Sequence, residues 1–360
     1  MKSIFVLTVT LLTLVCSSGC SQDAGAESAI RKRWASGAHG RIAFISGIYL
    51  GRQERALCVM DVSTGEVSTV LSGDSVRTDV MTSPQWSRDH RMIVFSTVSN
   101  GVYQYDIQSG VAKRVSFGDP GQQVLFDSGE ATRTRKVGNR LSDSVPVARH
   151  SIESIALGKA TGRLYTVWLT GQEGLGHLTA TVRDSVGSES TVVGFDGGIF
   201  CGFAVSPDEK RVVFSTEGQF RLWDIARSTW LMPNRPADYH NLFGPSFSPD
   251  GQSLAVVGRG GTSPSTAVSG ILISHAPGFS EWQELRRLSP NYFPFSLCWS
   301  PDGKWLLVTV QRRGGGALTI SDLLVVDAKT GMSFELDKVF LRGGHPVSGI
   351  YVDGGMDWTE

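Results

Sequence analysis

The chain has 360 residues, with 34 Lys+Arg balanced by 34 Asp+Glu for a formal net charge of zero. No basic field exists to neutralise a phosphate backbone, which argues against nucleic acid as a partner. Forty-two Gly and nine Trp beside only 19% charged residues are the profile of a turn-rich all-β protein, and at this length two domains are the default unless the chain is one repeat array.

Met1 to Cys20 open with Lys2, run through an apolar stretch from Ile4 to Val15 broken only by Thr, and end in Ser17-Ser18-Gly19-Cys20. This is the pattern of a secretory signal peptide, too short to span a bilayer. Small residues directly before a Cys resemble the bacterial lipobox, in which that Cys receives diacylglycerol and becomes the mature N-terminus; Ser17 departs from the Leu the family prefers. The resemblance implies a signal segment over 1–19 and lipid attachment at Cys20, and two acyl chains suffice for stable anchoring. Ordinary cleavage after Ala24-Gly25-Ala26 is the competing reading. In a Gram-negative cell, Ser21 in place of the Asp that commonly retains lipoproteins in the inner membrane points to the periplasmic face of the outer membrane. Residues 20–38 then read as the lipidated Cys and a polar tether, with the basic run Arg31-Lys32-Arg33 solvated. Cys58, Cys201 and Cys298 lie in apolar strand-like runs without a CxxC and read as buried thiols.

The remainder, 39–360, is built on a repeat. SPQWSRDHRMIVFS (83–96), FAVSPDEKRVVFS (203–215), PSFSPDGQSLAVVG (245–258) and SLCWSPDGKWLLVT (296–309) each give an apolar strand, a turn centred on Asp89, Asp208, Asp250 or Asp302, and a second strand. Pro sets φ before the turn, Asp bonds its own backbone, and Gly251 and Gly303 can take positive φ. These residues need no catalytic explanation. A second motif follows: VMDVSTG (59–65), YDIQSG (105–110), LWDIARS (222–228) and VVDAKTG (325–331), where a strand ends in Asp61, Asp106, Asp224 or Asp327 and a turn reverses the chain. Together the two motifs make a four-stranded antiparallel propeller blade.

The SPDGK-type turn resembles the WD40-like repeats of TolB-like β-propellers over nearly all of 41–359. The fold expected is an all-β, six-bladed propeller. Residues 83–117, 152–195, 200–235, 243–289 and 295–341 supply five blades, one of them degenerate, with Lys159-Ala160-Thr161-Gly162-Arg163 replacing the turn. The sixth is split: 41–72 gives three strands and Gly355–Thr359 an innermost one that closes the ring. A seventh blade within 118–150 is the reserve reading. TolB itself carries a further N-terminal α/β domain; only the expected tether stands in its place, so its known partners do not carry over.

In such a ring, short SPDG and DxxTG turns form one face and every long connection falls on the other, which is therefore the candidate binding surface. The crossovers nearest the channel hold Tyr239-His240-Asn241, Asn291-Tyr292-Phe293 and His345, rings with hydrogen-bonding tips that suit a peptide, a glycan or a partner loop. The insertion 119–150 carries Arg133, Arg135, Lys136 and Arg140 against Asp127, Glu130 and Asp143 and reads as a solvated loop or as a reader of an acidic partner. No GxSxG, HExxH, P-loop, strand-borne GxGxxG, EF-hand or paired CxxC occurs, and the seven His are scattered without ligand spacing, so no catalytic residue, metal or cofactor is assigned. The leading expectation is a lipid-anchored, non-enzymatic envelope propeller that binds a protein or peptide. A glycan or small-molecule module at the channel mouth is the alternative, and a lyase or hydrolase with a dispersed site comes third.

Overall fold

The computed structural model describes residues 25–46, 56–72, 81–97, 101–115, 150–170, 177–183, 189–196, 200–217, 219–234, 236–261, 267–289, 292–312, 321–336, 340–341, 345–346 and 355–360. The signal segment, Cys20, the insertion that could hide a seventh blade, and Asn291 lie outside the described residues. Six antiparallel blades are present. Blade 1 holds β1 (Arg41–Ser46), β2 (Ala56–Asp61), β3 (Glu66–Ser72) and, from the other end of the chain, β26 (Met356–Thr359). Blade 2 is β4 (Met81–Trp86), β5 (Met92–Thr97), β6 (Gly101–Asp106) and β7 (Val111–Val115). Blade 3 is β8 (His150–Leu157), β9 (Leu164–Thr170), β10 (His177–Arg183) and β11 (Glu189–Asp196). Blade 4 is β12 (Phe200–Val205), β13 (Arg211–Thr216), β14 (Gln219–Asp224) and β15 (Thr229–Leu231). Blade 5 is β16 (Asn241–Phe247), β17 (Ser253–Gly260), β18 (Val268–His275) and β19 (Trp282–Leu288). Blade 6 is β20 (Tyr292–Trp299), β21 (Trp305–Arg312), β22 (Ser321–Asp327) and β23 (Ser333–Glu335).

Innermost strands touch in sequence around the axis, β4 on β8, β8 on β12, β12 on β16, β16 on β20, β20 on β26 and β26 back on β4. The closure expected from Gly355–Thr359 is present: β26 pairs antiparallel with β1, from Arg41 opposite Thr359 to Phe44 opposite Met356. Each blade is sandwiched between two others, so its second strand is buried on both faces. Ile42–Ile45, Ile93–Phe95 and Val212–Phe214 are accordingly unbroken apolar runs, where a half-solvated sheet would alternate.

One geometry recurs in the Ser-Asp turns. The hydroxyls of Ser87, Ser206, Ser248 and Ser300 each donate to the Asp two residues on at 2.6–2.7 Å and accept the backbone N–H five residues on at 2.8–2.9 Å. In the second turn type, Asp61, Asp106 and Asp327 each accept two successive backbone N–H groups, those of Ser63 and Thr64, Gln108 and Ser109, and Lys329 and Thr330. The serine hydroxyl, then a backbone N–H, holds the Asp89 and Asp250 carboxyls below the ordinary value of 3.8. Ser63 does the same for Asp61, and the Ser109 N–H for Asp106. A depressed folded-state pKa stabilises the fold above the unfolded-state value and loses that contribution as pH falls through the lower folded-state values. Melting temperature should therefore hold from about pH 7 to about pH 5 and drop below about pH 4. Circular dichroism melts across that range test this, and an Asp250→Asn variant should show a shallower acid slope.

Three expectations are corrected. Residues 25–37 form a helix where a solvated tether was expected. Ile30 and Trp34, one helical turn apart, are 5% and 6% exposed and share an apolar cluster with Trp305, Phe334, Met356 and Trp358. Lys32 and Arg33 remain exposed as expected of the basic run, but the Arg31 and Arg33 guanidinium carbons also lie 4.8 Å and 5.0 Å from the ring centroids of Phe334 and Trp305, and Arg33 pairs with Asp327. Second, blade 1 has six strands, because β24 (Phe340–Leu341) runs parallel to β3 and β25 (His345–Pro346) pairs with β24. Phe340 and Leu341 thus leave the blade expected over 295–341 and join the edge of the split blade, β24 lying along β3, whose outer edge offers unpaired backbone groups. Third, His345 consequently stands at the outer rim of blade 1, away from the channel mouth.

Candidate functional site: the channel mouth

The start of each innermost strand and the link between second and third strands lie at one end of the disc, since Thr170 pairs with both His150 and His177, and Asn241 faces Arg259. Connections 47–55, 73–80, 116–149, 171–176 and 313–320 all leave from this end, whereas the other end carries the short Ser-Asp and Asp-Gly turns. Close to their starts, β4, β8, β12, β16 and β20 each shift register, the sharp bend a bulge supplies where strands crowd an axis. Backbones there nearly touch. A Cβ on Gly202 would meet Pro245 Cδ at 2.6 Å, and one on Gly244, at φ +51°, would meet the Phe295 carbonyl oxygen at 2.9 Å.

The structure separates the residues expected at this mouth. Tyr239 is 2% exposed in the layer between blades 4 and 5, with Val213, Phe220, Leu222 and Leu254. Its ring lies over Gly258 and Gly270, which face each other across β17 and β18, and its hydroxyl donates to Glu284 at 2.5 Å, itself bonded to Arg287. Burial, then the Glu284 carboxylate, drives the phenol far above its ordinary range. Tyr239 is a core residue. A Cβ at position 270 would stand 2.3 Å from the Tyr239 hydroxyl, so Gly270→Ala should cost about 1–3 kcal/mol by overpacking. Tyr239→Phe in the same chain should recover part of it, a comparison urea unfolding of the two single variants and the double variant makes directly.

His240 is exposed and its backbone N–H donates to the Arg259 carbonyl, and Asn241 is half-buried at the first position of β16. Tyr292 is half-buried against the blade 5–6 layer and its hydroxyl donates to Glu335. Phe293 does reach a cluster. The Arg259 guanidinium carbon lies 4.6 Å from the Phe243 centroid and 3.2 Å from that of Phe293, whose ring meets Phe295 edge-on at 4.9 Å. Half-buried Cys201 lies within the fields of Glu217 and Arg259, but burial dominates and pushes its thiol up to about 11, so it is a protonated neighbour and a poor nucleophile. Arg259, Phe243 and Phe295 were not singled out from sequence; the one signal was that each lies near the mouth end of a strand in blades 5 and 6.

Aromatic faces with a guanidinium between them can stack on a ring, a sugar or a peptide side chain while contributing positive charge. Among the described residues no group of three or more His, Cys, Asp or Glu could hold a metal ion. At the opposite end, Lys159 of blade 3 donates to Asp357 of β26 at 2.8 Å, and the same carboxylate oxygen accepts the Trp86 N–H of blade 2 at 2.7 Å. That carboxylate ties three blades together beside the axis.

No protein-family model and no curated protein matches the sequence. Solved structures do match. TolB from Acinetobacter baumannii superposes at a TM-score of 0.58 with 15% identity, over 89% of this chain and 66% of that one, so the chain spans somewhat under two thirds of that TolB. The putative TolB from Agrobacterium tumefaciens gives 0.53 and 13%, over 83% and 89%. An oligogalacturonate lyase in complex with manganese gives 0.52 and 13%, over 78% and 70%. At these identities the likeness is one of fold: the chain has the six-bladed propeller architecture of the TolB structures.

Proposed function

We propose that this chain is a non-enzymatic binding propeller of the bacterial cell envelope, lipid-anchored at Cys20 on the periplasmic face of the outer membrane, that presents its loop-rich face to a protein or peptide. The observation that carries the reading is the asymmetry of the disc, with connections 47–55, 73–80, 116–149, 171–176 and 313–320 and the Phe243–Arg259–Phe293 cluster at one end and short hydrogen-bonded turns at the other. Rigid scaffolds that load variation onto one face use that face for recognition. The fold likeness to TolB fits a protein-binding scaffold. The aromatic cluster also fits a saccharide, which keeps a glycan-binding mouth as the second reading.

The test is capture from detergent-solubilised envelope by the mature chain from Ser21, beside a Phe293→Ala/Tyr292→Ala variant whose melt matches the wild type. A partner retained by the wild type and reduced at least tenfold by the variant supports the reading. If neither chain retains protein while oligosaccharides titrate the tryptophan fluorescence, the glycan reading replaces it. Metal-dependent turnover of a polysaccharide would overturn the non-enzymatic assignment.

A further inference from the structure

Resting on the proposed anchor at Cys20, we infer that the turn face is the membrane-facing surface of the protein, set against lipid headgroups, and that the channel mouth faces the aqueous compartment. The first argument is length. A solvated tether from residue 20 to residue 38 could reach roughly 60 Å at about 3.3–3.6 Å per residue and would leave the disc free to tumble. Helix 25–37 removes most of that reach because it is docked: Ile30 and Trp34 are buried in the seam between blades 6 and 1, and Arg33 pairs with Asp327. From Cys20 to the start of the helix the chain spans at most about 18 Å.

The second argument is direction. The helix feeds β1 through His39 and Gly40, and the Trp358 indole N–H donates to the His39 carbonyl at 3.0 Å where β26 ends. The helix therefore lies at the end of the disc occupied by the Ser-Asp and Asp-Gly turns, and a leash attached to it holds that end toward the lipid. The third is charge layering. In the ion pairs of the turns themselves the acid is folded inward against turn N–H groups and the cation projects, Arg227 being 74% exposed against 7% for Asp224 and Lys304 72% against 26% for Asp302, while Glu27–Arg31 on the helix has the reverse order at 47% and 36%. Lys210 over Asp208 and Arg33 over Asp327 follow the same order. A projecting cationic layer close to the anchor suits lipid phosphates.

Two single-cysteine labels in a Cys201→Ser background read the orientation, the other two thiols of the described residues being buried. Gln252→Cys lies in a Ser-Asp turn and Gln219→Cys at the mouth end, both exposed. In vesicles containing nitroxide-headgroup lipid, the label at 252 should be quenched at least twofold more than that at 219, and a long Gly/Ser insert before Gly25 should erase the difference. Equal quenching without the insert, or stronger quenching at 219, overturns the inference. The anchor is separated by running the mature chain with its N-terminal Ser21 coupled through oxime chemistry to a lipid. Mass spectrometry showing unmodified Cys20 in native membranes would overturn the anchor and the native orientation with it, while the coupled chain still reports whether the helix fixes the disc.

Discussion

Deletion of residues 355–360 is expected to abolish cooperative folding. Those residues supply the innermost strand of blade 1, so their loss opens the ring and exposes the inner edge of β1. Met356 and Trp358 are 6% and 5% exposed, and re-exposing each forfeits about 1.5–3 kcal/mol. The Asp357 acceptor for Trp86 and Lys159 goes as well, and with it the tie between blades 1, 2 and 3. Together these losses reach about 5 kcal/mol or more, against a typical stability of about 5–15 kcal/mol. The truncated chain should show no sigmoidal transition by circular dichroism and should bind a hydrophobic dye in native buffer. A full-height melt at the wild-type temperature would refute the closure. A point variant probes the same joint: Gly40 has φ +99°, and a Cβ there would stand 2.1 Å from the Thr359 carbonyl oxygen, so Gly40→Ala should lower the melting temperature by prising the closing strand away.

What the sequence made legible was the chemistry that is local. Ser300, Asp302 and Gly303 sit within one turn, and the hydrogen bonds they form need nothing beyond it, so blade number and turn roles follow from the repeat alone. The closing strand was legible for a topological reason, since a three-stranded first blade must be completed from elsewhere. Tyr239 was misread because an aromatic hydroxyl in a crossover looks solvent-facing. Its burial depends on Gly258 and Gly270, which become a cradle only once β17 and β18 pair. The helix over 25–37 was hidden because Ile30 and Trp34 are its only fully buried side chains, too few for a periodic signal amid Arg, Lys and Ser, and its socket is assembled from β21, β23 and β26. Arg259 was passed over because its partners Phe243 and Phe293 lie on strands of two different blades. Non-local pairs of this kind carry no spacing in the chain.

The second large effect is expected from Trp34→Ala. Blades 6 and 1 form the one junction in the ring that strand-to-strand crossover alone does not secure, because β26 arrives only after the chain has passed the outer rim. Trp34 caps that junction, its ring edge-on to Trp305 at 5.4 Å, Trp358 at 5.5 Å and Phe334 at 6.0 Å, so it touches both blades and the closing strand at once. Truncating a buried Trp costs about 3–5 kcal/mol. Urea midpoints should fall accordingly, while exposed Lys32→Ala, on the same helix, should change stability by less than about 0.5 kcal/mol. The decisive measurement is the cycle with Trp358→Ala. If helix and closing strand form one latch, the double variant should lose less than the sum of the singles, by a coupling of about 0.5–3 kcal/mol, because either substitution alone already opens the same cluster. Strict additivity would mean that the helix and the closing strand seal the ring independently, and an unchanged Trp34→Ala midpoint would mean that the helix contributes nothing to the seam.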